Sequence, residues 1–195
     1  MKSSYLRAGA ALACALALSG CGGGDGDMLL GGYFYGVTKP GLVLTNNGGS
    51  DLEVTPNASG SGQFFFKDLV ETDSGYNVQV KSKPINAEDC QVARNTGRVS
   101  FDITSVQVVC TIKKHELKGT ITGLTGAGLV LVNGADKVEV PAGASSVTMA
   151  KVSEDASYGI VVLTQPANQT CTVANGTGVM GTNDVTNVTI SCANT

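Results

Sequence analysis

The chain reads as all-β, two tandem antiparallel β-sandwiches with one disulfide each. Three observations predict it. Glycine is abundant at 26 residues, tryptophan is absent and only 15% of residues are charged, which together with frequent Val and Thr favours short strands and many turns. From about Tyr33 the sequence repeats itself in order, with a unit of about 80 residues, the length of a small domain rather than of a solenoid repeat. Each copy then closes on a cysteine pair in matching positions, Cys90 with Cys110 and Cys171 with Cys192.

The segment before the repeat is of another kind. Lys2 and Arg7 precede an apolar run from Ala8 to Leu18, and Leu18-Ser19-Gly20-Cys21 follows. That run is short of the roughly 20 residues a membrane-spanning helix needs, and its arrangement is that of an exported leader. These residues resemble the lipobox of bacterial lipoproteins. The resemblance implies that residues 1–20 are removed as a signal peptide and that Cys21 becomes the lipidation site, fixing the protein to a membrane through two or three acyl chains. One chain gives marginal binding at about 0.8 kcal/mol per buried methylene, and two give a stable anchor. Residues 21–32, opening Cys21-Gly22-Gly23-Gly24-Asp25, read as a flexible Gly-rich tether. In lipoproteins of diderm bacteria an aspartate after the lipidated cysteine retains the protein at the inner membrane. Gly22 stands there instead, so the expected location is the cell envelope, lipid-anchored in the outer membrane of a diderm bacterium.

The repeat divides the remainder into residues 33–112 and 113–195. Gly41-Leu42-Val43-Leu44 recurs as Gly128-Leu129-Val130-Leu131, Asn47-Gly48 as Asn133-Gly134, and Tyr76 and Pro84 as Tyr158 and Pro166. Cys90-Gln91-Val92-Ala93 recurs as Cys171-Thr172-Val173-Ala174, and Asp102, Val106 and Cys110 as Asp184, Val188 and Cys192. Tyr33 to Val37 and Leu117 to Ile121 are expected as first strands. Leu42 to Thr45 and Leu52 to Val54 form a hairpin across Asn47-Gly48, a pair suited to the positive backbone angles of a tight turn. Phe64-Phe65-Phe66 is a further strand with two rings turned inward, its counterpart being Val147-Thr148-Met149. Tyr76, Val78 and Val80 then line one face of the next. In the last strand of each unit Val106, Val108 and Cys110, or Val188, Ile190 and Cys192, share the core face by their period of two.

That placement selects Cys90–Cys110 and Cys171–Cys192 among the three pairings four cysteines allow. In an exported protein such bridges form and persist. A zinc site is disfavoured, because the cysteines lack a local Cys-x-x-Cys and the chain holds one histidine. No metal and no cofactor is expected. The net charge is −3, from 13 Lys and Arg against 16 Asp and Glu, without the basic stripe that nucleic-acid binding requires.

His115, in Lys113-Lys114-His115-Glu116, reads as part of a solvated linker between the units. Without a second histidine or a Gly-x-Ser-x-Gly element it carries no triad. Ala58-Ser59-Gly60-Ser61-Gly62 lacks the lysine and helix of a phosphate loop, and the scattered aspartates do not form a calcium loop.

Gly62-Gln63-Phe64-Phe65-Phe66-Lys67-Asp68-Leu69 followed by Gly75-Tyr76-Asn77-Val78-Gln79-Val80 resembles prealbumin-like sandwich repeats, such as the B-type stalk repeats of collagen adhesins. The whole span 33–192, with its Gly-Leu-Val-Leu, Asn-Gly, Tyr, Pro and Cys landmarks, is similar to a tandem repeat of uncharacterised bacterial lipoproteins. The resemblance implies an Ig-like or prealbumin-like sandwich and a non-catalytic module acting as structure or as a binder of an envelope protein or glycan. Loops on rigid sheets commonly carry recognition, so the hairpin tips at Asn46, Asn47 and Gly48 and at Asn133 and Gly134 are the candidate contacts. The alternative is an envelope enzyme or small-ligand carrier with its site between the two repeats, near Lys113 to Glu116.

Overall fold

The computed structural model describes residues 26–195. The leader, Cys21 and the first residues of the tether lie outside that range. In the first half the strands are β1 Leu30–Tyr35, β2 Val43–Asn46, β3 Gly49–Glu53, β4 Ser61–Phe65, β5 Gly75–Ser82, β6 Ala87–Ala93, β7 Thr96–Arg98 and β8 Ile103–Ile112. The second half repeats the series as β9 Lys114–Thr122, β10 Leu129–Asn133, β11 Asp136–Val140, β12 Ser146–Ser153, β13 Ser157–Thr164, β14 Gln169–Ala174, β15 Thr177–Val179 and β16 Val185–Asn194.

Each half is a sandwich of two four-stranded sheets. Orders β4-β1-β8-β6 and β3-β2-β5-β7 in the first half become β12-β9-β16-β14 and β11-β10-β13-β15 in the second. Pairing is antiparallel except at one place in each unit. The first strand lies parallel to the last, β1 beside β8 and β9 beside β16, an arrangement that hairpin signals in a sequence do not disclose.

Alternation builds the cores. Leu30, Phe34, Leu44, Val78, Val106 and Val108 pack together in the first unit, and Leu117, Ile121, Leu131, Ile160, Val188 and Ile190 in the second. Phe64 and Phe66 turn inward edge to face, with ring centroids 6.2 Å apart, while Phe65 faces out. Val147 and Met149 fill the equivalent places in unit two. Each unit thus has its own cluster of buried side chains, and a fully buried side chain of this size contributes about 1.5–3 kcal/mol.

One disulfide closes each unit. Cys90 faces Cys110 directly across β6 and β8, and Cys171 faces Cys192 across β14 and β16, both with Cα atoms 4.0 Å apart. The second cysteine of each pair also dictates a glycine. Gly36 and Gly123 both have φ of +75°, and a Cβ on either meets the carbonyl oxygen of Cys110 or Cys192 at 2.0 or 2.2 Å.

Several expectations are corrected by this geometry. The first strand starts at Leu30, not Tyr33, and Leu30 is fully buried. The tether therefore ends before residue 32, because Leu30 has core to fill. Nor is 113–116 a solvated linker: Lys113 alone separates β8 from β9, and His115 belongs to β9 with its side chain 18% exposed. Finally, the hairpin counterpart of Asn133 is Asn46 rather than Asn47. Asn46 Oδ1 accepts the N–H of Asn77 at 3.0 Å, and Asn133 Oδ1 accepts that of Gly159 at 2.8 Å, each at the same place on β5 or β13.

Candidate functional site

The hairpin tips follow from turn chemistry. Asn46 pairs with Gly49, leaving Asn47 (φ +51°) and Gly48 (φ +77°) as a two-residue loop with both angles positive, the type I′ geometry that Asn-Gly favours. In unit two Asn133 pairs with Asp136, and only Gly134 (φ +58°) of the loop is positive, as a type II′ turn requires. Asn47 docks its Nδ2 on the carbonyl of Gly75 at 2.9 Å. Among the expected contact residues Asn46 and Asn133 thus hold strands together by their side-chain oxygens. Asn47, Gly48 and Gly134 are the exposed tips.

The junction between the units is built around Lys113. Its N–H donates to Asn86 O at 2.9 Å, its carbonyl accepts from Glu154 N–H at 2.9 Å, and its Nζ donates to Ile85 O at 2.7 Å. His115 Nε2 lies 2.8 Å from Glu154 Oε1 and its Nδ1 3.8 Å from Asp184 Oδ1. Lys39 of the first unit pairs with Asp155 of the second at 3.2 Å. Beside these contacts is a cleft of about 320 Å³ lined by Lys39, Ile85, Asn86, Glu154, Asp155 and Met180. Asn86 is buried there, its Nδ2 on Thr38 Oγ1 at 3.0 Å and its Oδ1 without a hydrogen-bond partner among the described residues.

His115 is engaged by carboxylates and is not among the residues lining the cleft. Among the described residues there is no catalytic motif and no cluster of His, Cys, Asp and Glu able to hold a metal ion. Asp102 and Asp184, two of the scattered aspartates, are explained by backbone: their Oδ1 atoms accept the N–H of Leu29 and Glu116, each at 2.8 Å.

The chain is a tandem β-sandwich with one disulfide closing each unit, and its likenesses among solved structures include bacterial pilin and adhesin proteins. The chain is similar to the TIE protein of Bacillus anthracis at 14% identity and a TM-score of 0.47, over 84% of this chain and 34% of that one. It thus spans about a third of the TIE chain's length. It is also similar to GBS52, the minor pilin of the gram-positive pathogen Streptococcus agalactiae, at 12% identity and a TM-score of 0.29, over 85% and 97% of the two chains. A third likeness is to two B repeat units of the collagen binding protein of Staphylococcus aureus, at 15% identity and a TM-score of 0.25, over 88% and 50%. No family model matches the chain, and no curated protein does.

These neighbours overturn one expectation. The outer membrane of a diderm bacterium was inferred from Gly22 alone, whereas the pilins and the collagen binding protein come from gram-positive organisms, streptococci, a lactobacillus and a staphylococcus.

Proposed function

We propose that the protein is a non-catalytic surface lipoprotein, held to a membrane through acyl chains on Cys21, whose two sandwiches form a structural module presenting binding surfaces to a protein or glycan partner. The junction at Lys113 is the observation that carries this reading. One residue joins two disulfide-closed units and is hydrogen-bonded on both sides, which suits a spacer better than a pair of domains that must open and close on a substrate. Its reach then follows from the tether after Cys21, and the exposed tips at Asn47, Gly48 and Gly134 stand on rigid hairpins as contact points.

The test is the intact mass of the native protein taken from membranes, before and after reduction. Loss of residues 1–20, added acyl mass and a gain of about four hydrogens on reduction are expected. An unlipidated mass would overturn the anchored reading.

A further inference from the structure

The two units share a fold but not an outer surface. In the sheet β4-β1-β8-β6 the outward positions of β1 and β4 are Tyr33, Tyr35 and Phe65, exposed to 41%, 44% and 40%, with Val109 of β8 beside them at 49%. Phe65 sits opposite Gly31, where a Cβ would come within 2.5 Å of its ring. Its ring therefore occupies the outward place that Gly31 leaves vacant. Three rings consequently follow one another along β1, stepping about 7 Å at each second residue.

Register fixes what surrounds them. Tyr33 faces Gln63 on one side and Gln107 on the other, Tyr35 faces Ser61 and Val109, and Val109 faces Gln91. At the far edge of this face the charge is carried by Asp89 of β6, opposite Thr111 of β8, and by Glu88 at the bulge before it. The surface is thus a row of flat rings edged by neutral amides and hydroxyls.

Unit two shows that the sandwich does not need it. The residues in the places of Tyr33, Tyr35, Phe65, Gln107 and Val109 are Thr120, Thr122, Thr148, Thr189 and Ser191. Lys118 stands where Gly31 does, paired with Glu116. A side-chain hydrogen bond to that carboxylate, and then its charge, raise the Lys118 pKa above the ordinary amine value. The equivalent face is therefore polar and charged, on a core built in the same way. Exposed aromatic surface of this extent on one copy only marks a contact site rather than a packing requirement.

From this row we infer that the outer face of the first unit, centred on Tyr33, Tyr35 and Phe65, binds an extended, uncharged glycan chain. Sugar rings present flat C–H faces that stack on aromatic rings, and hydroxyl groups that exchange hydrogen bonds with the Gln63, Gln91 and Gln107 amides. A linear row of rings suits a linear polymer, and the scarcity of charge disfavours phosphate-rich or strongly ionic partners. This deepens the surface-module reading by naming the partner's chemistry and placing it on a sheet face rather than at the hairpin tips. It rests on that reading for access to a glycan.

The experiment is retention of the full-length protein on insoluble cellulose, chitin and peptidoglycan, with Tyr33→Ala/Tyr35→Ala and Thr120→Ala/Thr122→Ala compared by thermal melting and by binding isotherm. Both tyrosines are exposed, so the variants keep the fold. Retention on at least one polysaccharide is expected, weakened at least tenfold by Tyr33→Ala/Tyr35→Ala, left unchanged by the unit-two pair and largely kept by Tyr33→Phe/Tyr35→Phe, which preserves the rings. Absence of retention on all three, or retention indifferent to Tyr33 and Tyr35, overturns the inference. So does a concentration-dependent dimer abolished by Tyr35→Ala, which assigns the face to a second copy of the chain. Failure of the anchor is read separately, since an unlipidated chain still carries this face.

Discussion

Asn133 turns its side-chain oxygen onto the backbone N–H of Gly159 at 2.8 Å, tying the tip of one hairpin to the start of the neighbouring strand. Asn46 does the same to Asn77. A hydrogen bond of this kind contributes about 0.5–1.5 kcal/mol net, and a partly buried N–H left without its acceptor adds to the loss. Asn133→Ala is therefore expected to lower unfolding free energy by about 1–2 kcal/mol, read as a shift of the urea midpoint at unchanged slope. A variant with unaltered stability would show that the contact is incidental.

Gly123 offers a sharper test. Alanine there must adopt φ of +75° and bring its Cβ to 2.2 Å from the carbonyl oxygen of Cys192. Gly48, at φ of +77°, has nothing within 4 Å of the same added atom. Gly48→Ala should lose only the left-handed penalty of about 1–2 kcal/mol. Gly123→Ala should lose clearly more, and equal thermal shifts in the two variants would refute the clash.

Each disulfide closes a sequence separation of 20 or 21 residues, and by loop entropy is worth about 3 kcal/mol. Because the two cores are separate clusters, Cys171→Ala/Cys192→Ala should shift only the second unit's hydrogen-exchange protection. Equal loss of protection in both halves would reveal one cooperative block.

The Lys39–Asp155 pair, about half exposed on both sides, should contribute under about 1 kcal/mol, as surface ion pairs do. Lys39→Ala is expected to leave the melting temperature nearly unchanged. Two glycines inserted after Lys113, by contrast, should broaden the interunit distance distribution in solution scattering without unfolding either unit. An unaltered profile would mean that the Lys113 hydrogen bonds do not set the geometry.

Much of the framework was legible in the residues. Alternation in Val106, Val108 and Cys110 and in its copy placed the last strand, its inner face and its cysteine, since period two leaves a buried strand little freedom. The ends and turns were less legible. Leu30 falls in the Gly-rich stretch that reads as tether, yet Gly31 and Gly32 are buried in β1, where close approach of Phe64 and Val106 leaves no room for a side chain. Asn47-Gly48 and Asn133-Gly134 match by identity, although the type I′ and type II′ turns place their asparagines differently. A single-residue bulge between Ala87 and Asp89, absent from β14, likewise shifts the spacing of the two copies. The aromatic row was illegible for another reason: Tyr33 and Tyr35 come from β1 and Phe65 from β4, and only sheet register brings them into line.

The parallel first and last strands give the molecule a mechanical character. A pull applied at the two ends of the first unit draws β1 toward its beginning and β8 toward its end, along a shared axis. The hydrogen bonds between them are then loaded together in shear, rather than opened one at a time as in peeling. The same holds for β9 and β16, so tension transmitted along the chain meets two such clamps in series. Should one give way, the segment from Cys90 to Cys110 still cannot extend, because its ends are covalently joined.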